Sequence, residues 1–282
     1  MKTVAYEAVY NQITKKMEDG IIPWKKPWKS YRPCNAKTGR PYNGINFILL
    51  SMTDFSDNRW ITYNQLQELG GNVKKGQKST QVVFWQILNK EEDGKKKSIP
   101  ILKYFNVFNI EQTEGVEWSK VEFESNISAE EIIDGFESKP EIIHSASDRA
   151  CYIPKLDTVR MPLKEAFVSV DSYYSTLFHE LAHSTGHKDR LSRKAITDTA
   201  YFGDADYSEE ELIAEFASAF ICNTAGIDNT MEHNAAYLQS WMKAFKDNPS
   251  MIVHAASKAQ KAADYILGIQ DTKGEQSPFK GR

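Results

Sequence analysis

The chain is 282 residues long, 41% hydrophobic and 26% charged, so it can bury the cores of two domains. Cys34, Cys151 and Cys222 are too few and too scattered for a disulfide framework. Neither a signal-like N-terminus nor an apolar run near the roughly 20 residues that span a membrane is present, so a soluble, reducing, cytoplasmic setting is expected. The net charge of −3 is unevenly spread: residues 1–115 carry 18 Lys and Arg against 11 Asp and Glu, a balance of +7, and residues 116–282 carry 17 against 27, a balance of −10. A basic half of this kind points to nucleic acid or an anionic surface.

In chain order, Tyr6, Tyr10, Ile13 and Met17 recur at helical spacing, and Gly20 closes that first helix. From Pro23 to Arg32 prolines hold an extended segment in which Trp24, Trp28 and Tyr31 alternate with Lys25, Lys26 and Arg32. Thr62 to Gln65 is a capping box opening a short helix that ends at Gly70-Gly71, and Asn72 to Lys78 is a basic turn. Thr80–Leu88 and Ile101–Phe108 read as two strands of a hairpin joined through Asp93-Gly94. Aromatic rings interleaved with cations suit single-stranded nucleic acid, whose bases gain about 1–3 kcal/mol each by stacking while cations track the phosphates. Trp24, Trp28, Tyr31, Tyr42, Trp60 and Trp85 are the stacking candidates, with Lys25, Lys26, Arg32, Arg40, Lys74, Lys75 and Lys78 as phosphate partners. The alternative for each ring is a place in the core, and about half are expected there; of Phe84 and Trp85, which alternate in a strand, one must point inward.

Glu111 to Asn126, acidic and without apolar periodicity, is the expected linker. After it, Ser128-x-x-Glu131 opens a helix, and Glu141–Ser145, Cys151–Pro154, Thr158–Met161 and Phe167–Val170 read as short strands. Asp171-Ser172 is the expected N-cap of a helix whose stripe is Tyr173, Leu177, Phe178 and Leu181, with Gly186 as its stop. This helix carries His179-Glu180-Leu181-Ala182-His183. Residues four apart share a helix face, so the two imidazoles can bind one zinc ion, with Glu180 within reach as general base for a water that the metal acidifies from a pKa of about 15.7 to roughly 7. His187, four residues further on, competes as a ligand. Three successive turns in a straight column do not converge easily on one ion, so it reads as substrate-side or structural. His144, His233 and His254 have no ligand-like neighbours.

Catalytic zinc keeps three protein ligands. The next helix is expected at Ser208–Ala225, followed by helices at Thr230–Lys246 and Ser250–Leu267. Its Glu211 and Glu215, four apart, suit one ligand plus one carboxylate orienting a ligand imidazole. Ser208-x-x-Glu211 is equally a capping box, and Glu210 is a further candidate ligand. The arrangement resembles the gluzincin metallopeptidases, which implies Glu211 as third ligand and Glu215 as orienting group. Tyr207, just before the expected helix, is a candidate to stabilise an oxyanion; packing is its alternative.

Pro23-Trp24-x-x-Pro27-Trp28, Asn35-x-x-Thr38-Gly39-x-x-Tyr42-x-Gly44-Ile45-Asn46, Trp60-Ile61-Thr62-Tyr63 and Val107-Phe108-Asn109 resemble the N-terminal domain of ArdC-type antirestriction proteins. His179 to Arg190 followed by Tyr207 to Glu215 resembles the zincin-like domain that follows it. The resemblance covers nearly the whole chain. It implies a mobile-element origin, single-stranded DNA binding by the first domain and protection of incoming DNA from host restriction. Such domains also occur fused to primases, for which no motif is found. The expected fold is α+β, with a single-stranded DNA-binding domain over 1–115 and a zincin-like metallopeptidase domain over 127–275. Three functional readings follow: DNA binding with the zincin as scaffold, a protease acting on DNA-bound proteins, and a purely structural metal. Glu180 argues against the last, because a structural site needs no base.

Overall fold

The computed structural model describes residues 4–25, 32–92, 95–119, 127–198, 205–229 and 235–269. Helix α1 (Val4–Glu18) buries Ala5, Val9, Ile13 and Met17, while Tyr6 and Tyr10 flank that stripe and are only partly covered. Next come β1 (Cys34–Asn35), α2 (Ile45–Ser51), β2 (Arg59–Ile61), α3 (Tyr63–Glu68) and β3 (Asn72–Val73). Thr62 caps α3 in the expected reciprocal box with Gln65. Helix α2 escapes sequence reading because all of Ile45–Ser51 is buried, leaving no polar face and hence no amphipathic stripe.

Strands β4 (Thr80–Glu92) and β5 (Lys95–Asn109) form the expected hairpin, longer than its hydrophobic pattern, with Glu92 opposite Lys95; Asp93-Gly94 lies outside the described residues. The sheet order is β1-β2-β5-β4. Alternation sends Val82 and Phe84 into a small cluster with Tyr42, Leu50 and Trp60, and sends Val83 and Leu102 into the main core. Phe84 is thus the inward ring of its pair, and Trp85 stays 43% exposed, stacked on His254.

The segment expected as a linker, Glu111 to Asn126, is ordered at its start. Ile110–Gln112 is a 3-10 turn capped by Asn109, and β6 (Thr113–Glu114) pairs with β3. Its acidic residues Glu111 and Glu114 are exposed positions of an ordered segment. Residues 120–126 lie outside the described residues.

In the second half, Ser128 caps α4 (Ala129–Gly135) through Glu131, as expected. Strands β7 (Glu141–Ser145), β8 (Cys151–Ile153) and β9 (Thr158–Pro162) form a sheet in the order β7-β9-β8, β7 parallel and β8 antiparallel to β9. The fourth expected strand does not form. Val168 is 97% and Val170 69% exposed, so alternation alone, with no strand to pair, yields a turn. Helix α5 (Val170–Ser184) follows at once. Its N-cap is Ser169, boxed with Ser172, rather than Asp171-Ser172. Then come α6 (Lys194–Thr197), α7 (Ala205–Ala225), α8 (Ala235–Asp247) and α9 (Ser250–Ile266).

One core runs through both halves. The Trp24 ring sits edge-on between Phe216 (4.9 Å) and Trp241 (5.2 Å), and Phe47 meets Phe220 at 5.0 Å. Gly44 adopts φ +55° with its backbone against α9, where a Cβ would lie 3.4 Å from the Ala256 carbonyl oxygen. Its N–H donates to Gln260 Oε1 (3.0 Å), which also accepts from Arg32 (2.7 Å). Removing the Trp24 ring should cost about 3–5 kcal/mol. Urea unfolding of Trp24→Ala measures this, and a loss below about 1 kcal/mol would place the ring outside the core.

Candidate metal centre

Helix α5 presents His179 and His183 from one face, their Nε2 atoms 3.1 Å apart. Helix α7 brings Glu211 opposite them, its carboxylate oxygens 3.6 Å from His179 Nε2 and 3.5 Å from His183 Nε2. Among the described residues, these three form the group able to hold a metal ion. Because α7 starts at least by Ala205, Ser208 lies inside the helix and cannot be its N-cap. The capping-box role for Glu211 therefore falls away. Tyr207 lies in the first turns of α7 rather than before it, and its side chain lies outside the described residues.

Behind the imidazoles stand two further carboxylates. Glu215 Oε1 is 3.8 Å from His179 Nδ1, and Glu210 Oε1 is 3.2 Å from His183 Nδ1. Glu210, a candidate ligand in the sequence, is thus turned toward the outer nitrogen of His183. Arg193 grips it with two hydrogen bonds (Nε to Oε2 2.7 Å, Nη2 to Oε1 2.6 Å), and also donates to the Ala182 carbonyl and the Thr185 hydroxyl. Burial works against a charge on Glu210, but hydrogen bonds from Arg193 and His183 and the charge of Arg193 hold its carboxyl below the usual carboxylate range. Gly186 makes room for this arrangement, since a Cβ there would fall 2.6 Å from Ile196 Cγ1 and 3.1 Å from Arg193 Nη2. The run Glu209-Glu210-Glu211 divides three ways over successive helix positions: Glu209 binds Lys258 (2.8 Å), Glu210 orients His183 and Glu211 faces both imidazoles. Sequence reading missed Arg193; a lone arginine in a polar turn carries no local signal of a partner 17 positions away.

Glu180 is buried, and its Oε2 accepts the Tyr152 backbone N–H of β8 (2.7 Å). His187 lines the same pocket but stands outside the metal group, its Nδ1 3.5 Å from Asp189. His144 bonds the Tyr173 hydroxyl (2.8 Å).

The donor chemistry fits a divalent cation. Among the described residues Glu180, Glu210, Glu211 and Glu215 set four carboxylates around the two imidazoles, with the guanidinium of Arg193 paired to Glu210. Burial alone would lower the pKa of His179, yet hydrogen bonding to Glu211 and the charges of Glu215, Glu180 and Glu211 push it up to about 9. His183 is raised as well, against its burial, by Glu210 and Glu211. A site that draws protons onto imidazole calls for positive charge.

A second pair braces the pocket. Arg190 binds Asp157 through two hydrogen bonds (2.8 and 2.7 Å) and donates to the Ser184 and Ser138 carbonyls, tying the β8–β9 turn to the end of α5. Desolvation raises the Asp157 pKa, but hydrogen bonds from Arg190 and Tyr152 outweigh it and leave the carboxyl below its ordinary 3.8. A lowered pKa contributes stability above the unfolded value, and that contribution is lost as pH falls through the folded one. The destabilisation caused by Asp157→Asn should therefore be full above about pH 4 and shrink below it. Unfolding midpoints of wild type and variant between pH 3 and 7 test this; a constant gap would deny the ion pair its role.

The proposed DNA contacts are distributed differently. Trp24 and Tyr42 are 0% and 5% exposed and Trp60 is buried too, so these three rings are core and offer no face to a base. Trp85 keeps an exposed face. Arg32 is engaged with Gln260 and the Tyr42 carbonyl (3.3 Å), and so braces the two halves. Lys25 is half-buried; Arg40, Lys74, Lys75 and Lys78 are exposed, Lys74 donating to the Glu111 carbonyl (2.8 Å). Lys26, Trp28 and Tyr31 lie outside the described residues. Among the described residues no helix is long and apolar enough to cross a membrane.

Comparison with known proteins matches residues 3–108 to the N-terminal domain of anti-restriction factor ArdC and residues 128–258 to a zincin-like metallopeptidase family. The metal-free crystal structure of the antirestriction ArdC protein from the R388 plasmid is 36% identical with a TM-score of 0.80, covering 95% of this chain and 98% of that one. Its Mn(II)-bound structure is 35% identical with a TM-score of 0.78, covering 96% and 100%. A DNA primase TraC of Escherichia coli is 34% identical over 96% of this chain, which spans only 20% of that relative's length. With nearly the full length of the ArdC protein matched and both of its parts in order, the chain belongs to the ArdC antirestriction family, with a zincin-like second part.

Proposed function

We propose that this protein, carried by a mobile element, binds single-stranded DNA through residues 1–115 and protects incoming DNA from host restriction, while residues 127–275 form a zinc-holding domain. The observation that carries this reading is the end-to-end likeness to the R388 antirestriction protein, together with a +7 balance over residues 1–115. Lys74, Lys75 and Lys78, exposed in one turn after β3, are the described cations best placed for phosphates. Replacing all three by Ala should weaken binding to every single-stranded sequence alike and flatten its salt dependence, because fewer counterions are released. An unchanged salt slope would move the phosphate contacts elsewhere.

A second reading, a metalloprotease acting on DNA-bound proteins, is favoured by the placement of Glu180. Its Oε2 is held by the Tyr152 N–H, which fixes the carboxylate in the pocket and leaves Oε1 to receive a proton. His179, His183 and Glu211 would hold the zinc, with Glu215 and Glu210 orienting the imidazoles. When bound, the ion supplies Lewis acidity and lowers the pKa of water toward about 7. Tyr207 is the candidate to steady an oxyanion. Between the two readings we favour protection without obligatory proteolysis, since family likeness speaks for antirestriction and only the local motif for hydrolysis. Transformation of a restricting host decides: protection should survive Glu180→Ala, and its loss with DNA binding intact would make the protease the working part.

A further inference from the structure

We propose that the mouth of the metal pocket selects an acidic polypeptide segment, held by Arg149, Lys155 and Lys188. This goes beyond the presence of a metal site and rests on reading the pocket as a polypeptide cleft. The pocket, about 820 Å³, has the imidazoles and Glu180 as its floor. Arg149 and Lys155 bracket the edge strand β8 and Lys188 comes from the turn after α5; all three line the pocket and are exposed. None of the three makes an ion pair among the described residues.

The acids that line the pocket are the floor groups Glu180, Glu210 and Glu211, each facing the Tyr152 amide, Arg193 or the imidazoles. Nearby Asp157 is taken by Arg190, and Asp189 faces His187. The mouth is therefore cationic in a half of the chain whose overall balance is −10. That contrast decides between anionic ligands. Long-range attraction is opposed by the acidic surroundings, so only charge placed at the mouth itself gains. A nucleic-acid strand, charged at every nucleotide, would need cations spaced along its whole path, and among the described residues lining the pocket the Lys and Arg side chains are these three. A short run of Asp and Glu in a polypeptide needs no more than these three side chains.

The test uses the full chain loaded with zinc and carrying Glu180→Gln, so that bound peptide is not turned over. Labelled peptides of one length, either Asp/Glu-rich, neutral or Lys-rich, are titrated by fluorescence anisotropy, with a single-stranded oligonucleotide as competitor. The acidic peptide should bind at least about tenfold more tightly than the neutral one, the gap closing with salt. Arg149→Ala, Lys155→Ala and Lys188→Ala together should erase the preference while metal content stays unchanged. Equal binding of acidic and neutral peptides, or a preference that survives the triple variant, overturns the proposal and leaves the cleft reading standing. Binding of no peptide overturns both. Displacement of the acidic peptide by the oligonucleotide, with oligonucleotide binding lost in the triple variant, overturns it in favour of a nucleic-acid path.

Discussion

His179→Ala or His183→Ala should leave the purified protein without bound metal, while Glu180→Ala keeps a full complement of about one ion per chain. Each histidine supplies one of three donors facing a common point, and no other imidazole among the described residues joins that group. Glu211→Ala should weaken binding by more than the roughly 10–100-fold that loss of an orienting partner costs, because it removes a donor outright. Glu215→Ala and Glu210→Ala should fall within that range, since each carboxylate stands behind an imidazole. Elemental analysis after dialysis against a metal-buffered solution separates these classes. Full metal in Glu211→Ala would remove it from the set and promote Glu210, Glu215 or His187.

Arg193→Ala should be the most destabilising single change near the centre, by about 3–5 kcal/mol. It would leave the buried Glu210 carboxylate without its guanidinium and take one donor from the Ala182 carbonyl near the end of α5. Arg193→Lys should recover only part of this, because one ammonium cannot reproduce the two-pronged grip on Glu210 while also reaching Ala182 and Thr185. Replacing Glu210 by Gln in the same chain should reduce the penalty, since an amide buries no charge. Urea unfolding of the single and double variants gives the coupling directly. Additive losses would show that the two side chains do not act on one another.

What the sequence discloses about this centre is what a helix makes periodic. Spacing of four puts His179 above His183 and Glu211 above Glu215, and the caps at Thr62 and Ser128 are local in the same way. Pairing between distant turns is not periodic, so neither Arg193 against Glu210 nor Arg190 against Asp157 could be read in advance. The aromatics mislead for a different reason. Trp24 and Tyr42 sit among cations in sequence, but Pro23-Trp24 form a turn where the prolines suggest an extended segment, and both rings fold inward while Arg40 stays exposed and Lys25 half-buried. Helix α2 is hidden by full burial, and the expected strand at Phe167–Val170 fails because a strand needs a neighbour that this segment does not have.

The most direct test of the metal centre is a crystal structure of the zinc-loaded protein with anomalous difference density recorded at the zinc edge. The account predicts one strong peak at about 2.0–2.2 Å from Nε2 of His179, Nε2 of His183 and a carboxylate oxygen of Glu211, with Glu180 beyond bonding distance. A peak held by Glu210 or His187 in place of Glu211, or no peak between the two histidines, would contradict it.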